Sequence, residues 1–264
     1  MKRRRRRTAA LSKYRTASNE SPSWLGHHWL EPHYLGWLLK GALLTGWLAL
    51  LVCVAATALG MLLTAALESR WRALSHGAGL WVSLHRNTPL MVQLLLWYFG
   101  VAGLLPETAM LWLNTPRSLP LPGGLTLLWP SFEFLAALVG LTLYSASFIC
   151  GELQAGLRGV AAGQRQAARA LGMNGWQEFR WVVLPQAWAL ARRPLVGQYT
   201  AVVKNTSLAM AIGVAELSYT SRQVETETLL AFQAFAVATA AYLLLVLLTQ
   251  ALSQRGEPAW RAPQ

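Results

Sequence analysis

Residues Gln166–Trp188 read QAARALGMNGWQEFRWVVLPQAW, a polar, helix-prone stretch set between long apolar runs. Arg165–Leu171 are mostly strong helix formers and predict a short helix. Gly172 is placed to end it, because glycine takes the left-handed turn at a helix C-terminus without steric cost. Asn174 is a suitable N-cap for a second helix over Gly175–Val183, which Pro185 is expected to bend or stop. Two short helices joined by a glycine turn and carried on a membrane domain make a compact docking knob.

The rest of the chain supplies that membrane domain. Its 264 residues are 54% hydrophobic and only 13% charged, and several apolar runs approach the ~20 residues that cross a bilayer as a helix. The pattern predicts an all-helical membrane protein with spans at about 38–67, 89–105, 132–150, 195–214 and 229–252. Residues 1–33 read as a basic, disordered tail, 34–254 as the transmembrane domain and 255–264 as a C-terminal tail. Pro106–Pro130, rich in proline and glycine, reads as an extracytoplasmic loop with a short surface helix near Thr108–Leu113.

Certain chemistries are excluded. All 11 acidic residues are glutamates, so no Walker B aspartate exists, and no GxxxxGK[ST] loop is present. If the chain takes part in active transport, the motor is another polypeptide. No GxSxG, HExxH or metal-spaced Cys/His set points to an enzyme, a cofactor or a metal. Cys53 and Cys150 fall in apolar runs and predict no disulfide. His27, His28, Glu31 and His33 cluster before the first span, where Trp24, Trp29 and Trp37 make an interfacial belt the simpler reading than a metal site. Eight of the positive charges lie in the first fifteen residues, and on a membrane protein their expected neighbour is anionic lipid rather than nucleic acid.

Polar residues inside or beside the spans are the candidates for a solute path. Asn87 and Thr88 precede the second span, and Gln93 sits within it, where a buried amide serves either as glue between helices or as path lining. Glu152, just past the third span, is either a solvated or paired boundary residue or part of the path. The fourth span carries Lys204, Asn205, Thr206 and Ser207. A lysine near mid-span costs roughly 3 kcal/mol on insertion scales and needs an anionic partner. Glu152, Glu216 and a substrate carboxylate are the options.

The central stretch is similar to the cytoplasmic coupling motif of bacterial ABC-importer permeases: Glu-Ala-Ala, three residues, Gly, nine residues, Ile, any residue, Leu-Pro. Gln166, Ala167, Ala168, Gly172, Val182, Leu184 and Pro185 meet every spacing, with Gln166 for the glutamate and Val182 for the isoleucine. The likeness extends from about Tyr34 to Leu252 and is closest to glutamate/aspartate and related polar amino-acid permeases. It rests on Tyr34-Leu35-Gly36-Trp37, on RNTPLMVQLLLWYFGVAGLLP from Arg86, on Lys204–Ser207 and on Ile212–Leu217. One departure stands out. Aligned on Gly156, Val160, Gly163 and Gln164, the family glutamate falls on Gly151 and its arginine on Gln154, with Glu152 displaced by one.

The resemblance implies the type I ABC-importer permease fold and alternating access driven by two separate ATPase subunits. It implies pairing with a sister permease or a second copy, a periplasmic solute-binding protein, a polar and acidic amino acid as substrate, and the bacterial inner membrane as location. The coupling residues would be Gln166, Ala167, Ala168, Gly172, Leu184 and Pro185. Basic residues put the coupling segment and the C-terminus in the cytoplasm: six arginines lie between residues 158 and 193, against one each in the loops after spans two and four. Five spans then place the N-terminus outside, against the preference of its own arginines. Two other classes remain to be distinguished, a stand-alone channel or secondary transporter, and a non-transporting sensor or scaffold that uses the same knob.

Overall fold

A computed structural model describes residues 29–115, 118–120, 126–128 and 130–254. Residues 1–28 of the basic tail, His27 and His28 among them, and the C-terminal tail lie outside the described residues, whereas Pro32 and His33 at the end of that expected tail belong to the first helix. Helix α1 (Pro32–Leu67) opens with Pro32 in its first turn, where the missing N–H costs nothing. It is followed by α2 (Arg72–Asn87), α3 (Leu90–Leu104) and the short α4 (Glu107–Asn114). The surface helix expected near Thr108–Leu113 is α4, and within the remainder of the expected loop strand β1 (Ser118–Pro120) pairs antiparallel with β2 (Thr126–Leu128). Then come α5 (Phe132–Arg158), α6 (Ala162–Ala170) and α7 (Gly175–Gln177). A π-helical stretch, Glu178–Val183, leads into α8 (Leu184–Asn205). A 3-10 segment, Thr206–Ile212, precedes α9 (Leu217–Thr228) and α10 (Ala231–Gln254).

The frame is α1 packed along α5, with α8 against both, α9 against α1, and α10 closing against α9, α8 and α1. Leu48, Val52, Ala137, Leu141, Ile149, Leu195 and Val202 form the centre of one core. In lipid such packing depends on close van der Waals approach rather than on water exclusion, so small residues mark the crossings. At Gly156 a Cβ would stand 2.6 Å from the Ala187 carbonyl oxygen and 2.9 Å from the Ala191 Cβ, so only glycine lets α5 and α8 meet there. A second cluster, Leu38, Leu217, Val224 and Ala234, holds the start of α1 to α9 and α10.

Among the described residues three helices are long and apolar enough to cross a membrane, Pro32–Leu67, Phe132–Arg158 and Ala231–Ser253, and a fourth span results if the bent pair Arg72–Asn87 and Leu90–Leu104 is one. That pair corrects the sequence reading in two ways. The polar stretch after α1 is a 16-residue helix, α2, and α3 leaves it at 106°. Thr88 is extended, as the residue before a proline prefers, and Pro89 caps α3 instead of opening it.

The predicted span over 195–214 is also redrawn, since α8 starts eleven residues earlier and stops at Asn205. Thr206 Oγ1 donates to the Val203 carbonyl at 2.7 Å and Ser207 Oγ to the Lys204 carbonyl at 2.7 Å. These hydroxyls cover carbonyls at the end of the helix, the chain tightens into 3-10 turns, and Gly213 ends them in the left-handed region at φ 90°. The third span, expected to end at residue 150, continues to Arg158 because the glycines it crosses are packing sites rather than breaks.

The Lys204-to-Ile212 stretch is fixed from behind by a residue that the sequence reading had offered only as a partner for Lys204. Glu216 is fully buried and accepts from Tyr242 Oη at 2.5 Å, Tyr219 N at 2.9 Å and Thr45 Oγ1 at 3.4 Å. One carboxylate thus ties α1, α9 and α10 together immediately after Gly213.

Candidate functional site: the coupling knob and a polar path

The knob forms as the sequence spacing requires. Helix α6 ends at Ala170, and Gly172 takes φ 78°. Gly172 N donates to the Arg169 carbonyl at 2.9 Å and Met173 N to the Ala168 carbonyl at 3.2 Å, the paired bonds of a Schellman turn. Nothing lies within 4 Å of a Cβ built on Gly172, so glycine is required for its backbone conformation and not for space. Asn174 then starts the second arm with a full capping box: Gln177 N donates to its Oδ1 at 2.9 Å, and Asn174 N donates to Gln177 Oε1 at 2.9 Å.

A salt bridge that the sequence did not single out locks the two arms. Arg169 Nε donates to Glu178 Oε2 at 2.7 Å and Nη2 to Oε1 at 3.3 Å, a bidentate pair across the turn whose carboxylate is buried. The Arg169 hydrogen bonds hold the Glu178 carboxyl below the usual carboxylate range against the opposing effect of burial. Because the folded-state pKa is lowered, this stabilisation is complete above the unfolded value of about 4.3 and is lost as pH falls through the depressed range. ATPase co-purification is therefore expected to be flat from about pH 6 to about pH 8. It should fall in Arg169→Ala, which leaves a buried carboxylate without its cation.

Pro185 does not stop the second arm, which runs on into α8. It sits in the first turn of α8, and the π-helical stretch before it shifts the hydrogen-bond register, so the missing N–H and the ring are accommodated. The inner face, Val160, Val183 and Ala187 with Leu157, anchors the knob on α5, and Arg165 Nη2 ties α6 to the Leu157 carbonyl at 3.1 Å. Ala168 is buried, whereas Gln166, Ala167, Leu184 and Pro185 face outward. Leu171, Trp176 and Trp181 are 80%, 70% and 67% exposed. Aromatic and aliphatic surface presented this openly on a rigid knob suits contact with another protein.

The polar candidates have separate fates. Gln93 is buried, and its Nε2 donates to the carbonyls of His85 at 2.9 Å and Thr88 at 3.0 Å. It staples the break between α2 and α3 by satisfying carbonyls that the bend releases. Gln93→Ala is expected to lower stability by about 1–3 kcal/mol through those orphaned acceptors, measurable as a lower melting midpoint in detergent. Asn87 Nδ2 reaches Ser83 Oγ at 3.1 Å, and Thr88 Oγ1 bonds the Leu84 carbonyl at 2.8 Å, both closing the end of α2. Glu152 accepts from Gln198 Nε2 at 2.9 Å, joining α5 to α8.

Lys204 is exposed, and neither acid suggested for it serves: Glu152 is engaged by Gln198 and Glu216 by Tyr242. Among the described residues it has no anionic partner. Asn205 is half-buried beside it. The first turns of α3, which follow Thr88 and Pro89, pack on the 3-10 segment Thr206–Ile212, which follows Lys204 and Asn205. At the N-terminal end, His33 Nδ1 lies 3.3 Å from Glu31 and its ring 3.8 Å from that of Tyr34, an aromatic and polar cluster; no metal-holding group of His, Cys or Glu occurs among the described residues.

Comparison with known proteins gives a consistent answer. Over 226 residues the chain is 29% identical to the glutamate/aspartate import permease protein GltJ of Escherichia coli (strain K12), covering 84% of this chain and 87% of that one. It is 33% identical over 172 residues to the probable amino-acid ABC transporter permease protein PatM of Vibrio harveyi, covering 65% and 68%. Among solved structures, an amino acid ABC transporter with histidines superposes with a TM-score of 0.70 at 24% identity, over 84% of this chain and 93% of that one. Inward-facing MetNI methionine ABC transporter superposes with 0.64 at 15% identity, over 87% and 100%. The fold is that of the type I ABC-importer permeases. Residues 56–262 match the profile of the binding-protein-dependent transport system inner membrane component, and the chain belongs to that family of multi-pass membrane permeases, whose ATP is hydrolysed by partner subunits.

Proposed function

We propose that the chain translocates a polar, acidic amino acid across the bacterial inner membrane as one of a pair of permeases. The second member is a further copy or a sister permease, and lipid surrounds the pair. ATPase closure pulls on the Gln166–Pro185 knob, and the pair turns outward to receive solute from its binding protein. Gln166, Ala167, Ala168, Gly172, Leu184 and Pro185 form the contact with the motor. Lys204, Asn205, Thr206, Ser207, Asn87, Thr88 and Glu152 line or shape the path, and Gln93 holds the bend beside it. The observation that carries the amino-acid reading is Lys204, an exposed cation with no anionic partner among the described residues, on a helix packed against α5, where it can meet the carboxylate that every amino acid has. A cation at such depth is stable only against protein, water or a solute anion. The glutamate/aspartate permease among the relatives supports the same class.

In this reading residues 34–254 form the transmembrane domain with five spans, and residues 1–33 and 255–264 are tails. The knob and the C-terminus face the cytoplasm. The groove lined by Met61, Glu68, Leu153, Phe179 and Trp188 joins the far end of α1 to the knob, which supports a start of α1 on the opposite side. The test is uptake of radiolabelled L-glutamate and L-aspartate by host cells with and without the gene. Loss of ATP-dependent uptake on deletion, restored by the plasmid-borne gene, is expected. Normal uptake after deletion would favour a sensor, and uptake that survives removal of every ATPase partner would favour a lone transporter.

A further inference from the structure

A second cation lies close to the level of Lys204. Arg86, in the last turn of α2, extends over α5: its Cζ stands 5.1 Å from the centroid of the Phe148 ring. Its Nη1 lies 2.9 Å from where a Cβ on Gly151 would be. The guanidinium therefore occupies a notch that exists because residue 151 has no side chain. Arg86 is exposed and, among the described residues, makes neither a hydrogen bond nor an ion pair.

Depth makes this position informative. Gly151 lies about 10 Å from the Arg158 end of α5, at 1.5 Å per residue, and one residue past the apolar run 132–150, at the edge of a hydrocarbon layer about 30 Å thick. Glu152 and Gln198 bond across to α8, and Lys204 lies six residues, about 9 Å, further along α8. Helix α8 runs antiparallel to α5, so that rise brings Lys204 about level with Phe148, over which Arg86 lies. A cation without a counter-charge at that edge is open to water or to a solute anion rather than to lipid.

We propose that Arg86, left without a counter-charge by Gly151, is a specificity-determining residue that, together with Lys204, selects solutes with a second carboxylate. The inference rests on the reading of the chain as an acidic amino-acid permease. A single cation in the path satisfies the α-carboxylate that every amino acid carries. Two cations at one level satisfy a dicarboxylic side chain as well, and they leave a neutral amino acid with an unmatched positive charge. Residue 151 then sets the selectivity, because a carboxylate placed there would reach the Arg86 guanidinium and cancel it.

The experiment compares Gly151→Glu with Gly151→Gln, which fill the notch equally and differ in charge. The colliding atom belongs to the mobile end of Arg86, so both side chains fit after a small shift. Uptake of radiolabelled L-glutamate and of L-glutamine, its neutral isostere, is measured in host cells, with protein level and ATPase co-purification as folding controls. Gly151→Glu is expected to lower glutamate uptake about tenfold relative to glutamine uptake, and Gly151→Gln far less, the scale of one lost charge contact. Arg86→Gln is expected to reproduce the shift. Equal effects of the two Gly151 variants, or a parallel fall of both solutes, would overturn the proposal and leave the acidic reading intact. A wild type that takes up no acidic amino acid would remove both.

Discussion

Gly172→Val is expected to abolish uptake while leaving the protein inserted in the membrane at its normal level. At φ 78° a side chain has open space around it, so the effect comes from the backbone. The left-handed conformation costs a non-glycine residue roughly 1–2 kcal/mol, and a β-branched residue is a genuine outlier there. The turn escapes by flattening, which breaks the Gly172-to-Arg169 and Met173-to-Ala168 bonds and separates Arg169 from Glu178. Leu171 and Trp176, exposed on either side of the turn, then shift, and with them the face proposed to meet the ATPase. Gly172→Asn separates conformation from size, since asparagine enters the left-handed region at small cost, and this variant is expected to keep a substantial part of the uptake. Uptake of labelled glutamate, with immunoblots of the membrane fraction, reads the difference. Equal activity of the valine and asparagine variants would show that the turn conformation is not what matters.

Lys204→Ala is expected to reduce uptake about tenfold or more, the loss that follows removal of a charge partner from a poorly solvated site, while ATPase co-purification stays at the wild-type level. Lys204 has no partner among the described residues whose loss would unfold the helix, and Ser207 holds its carbonyl, not its ammonium. Lys204→Arg is expected to restore part of the uptake, because the charge returns with a different shape. Full uptake in the alanine variant would make Lys204 an anchor to lipid headgroups or to the neighbouring permease, and its place in the solute path would be lost.

The knob was legible in the sequence almost residue by residue, because its rules are local: a helix former run, a glycine at the left-handed turn, an asparagine cap and fixed spacing. The apolar runs of α1, α5 and α10 were legible for the same reason, since composition over about 20 residues decides them. What sequence reading missed depends on distant partners. The α2 helix is too polar to read as a span and was passed over, although its apolar residues recur on one face beside the ends of α1 and α5. Its bend needed the Gln93 amide, whose acceptors lie five and eight residues away in space-filling contact. The 3-10 winding after Asn205 came from two hydroxyls that bond back to the main chain, an alternative to helix that threonine and serine always offer. The roles of Glu152 and Glu216 depended on Gln198 and Tyr242, 46 and 26 residues away, which no spacing rule connects.

The most direct test of the account is co-purification in mild detergent of the tagged chain from its own host, wild type beside Gly172→Val, with the bound proteins identified. The account predicts that an ATPase subunit accompanies the wild type and is lost or strongly reduced with the variant. A permease in the same eluate would show whether the pair is made of one chain or two. Recovery of no ATPase subunit with the wild type, or equal recovery with both proteins, would contradict the claim that the Gln166–Pro185 knob couples this permease to its motor.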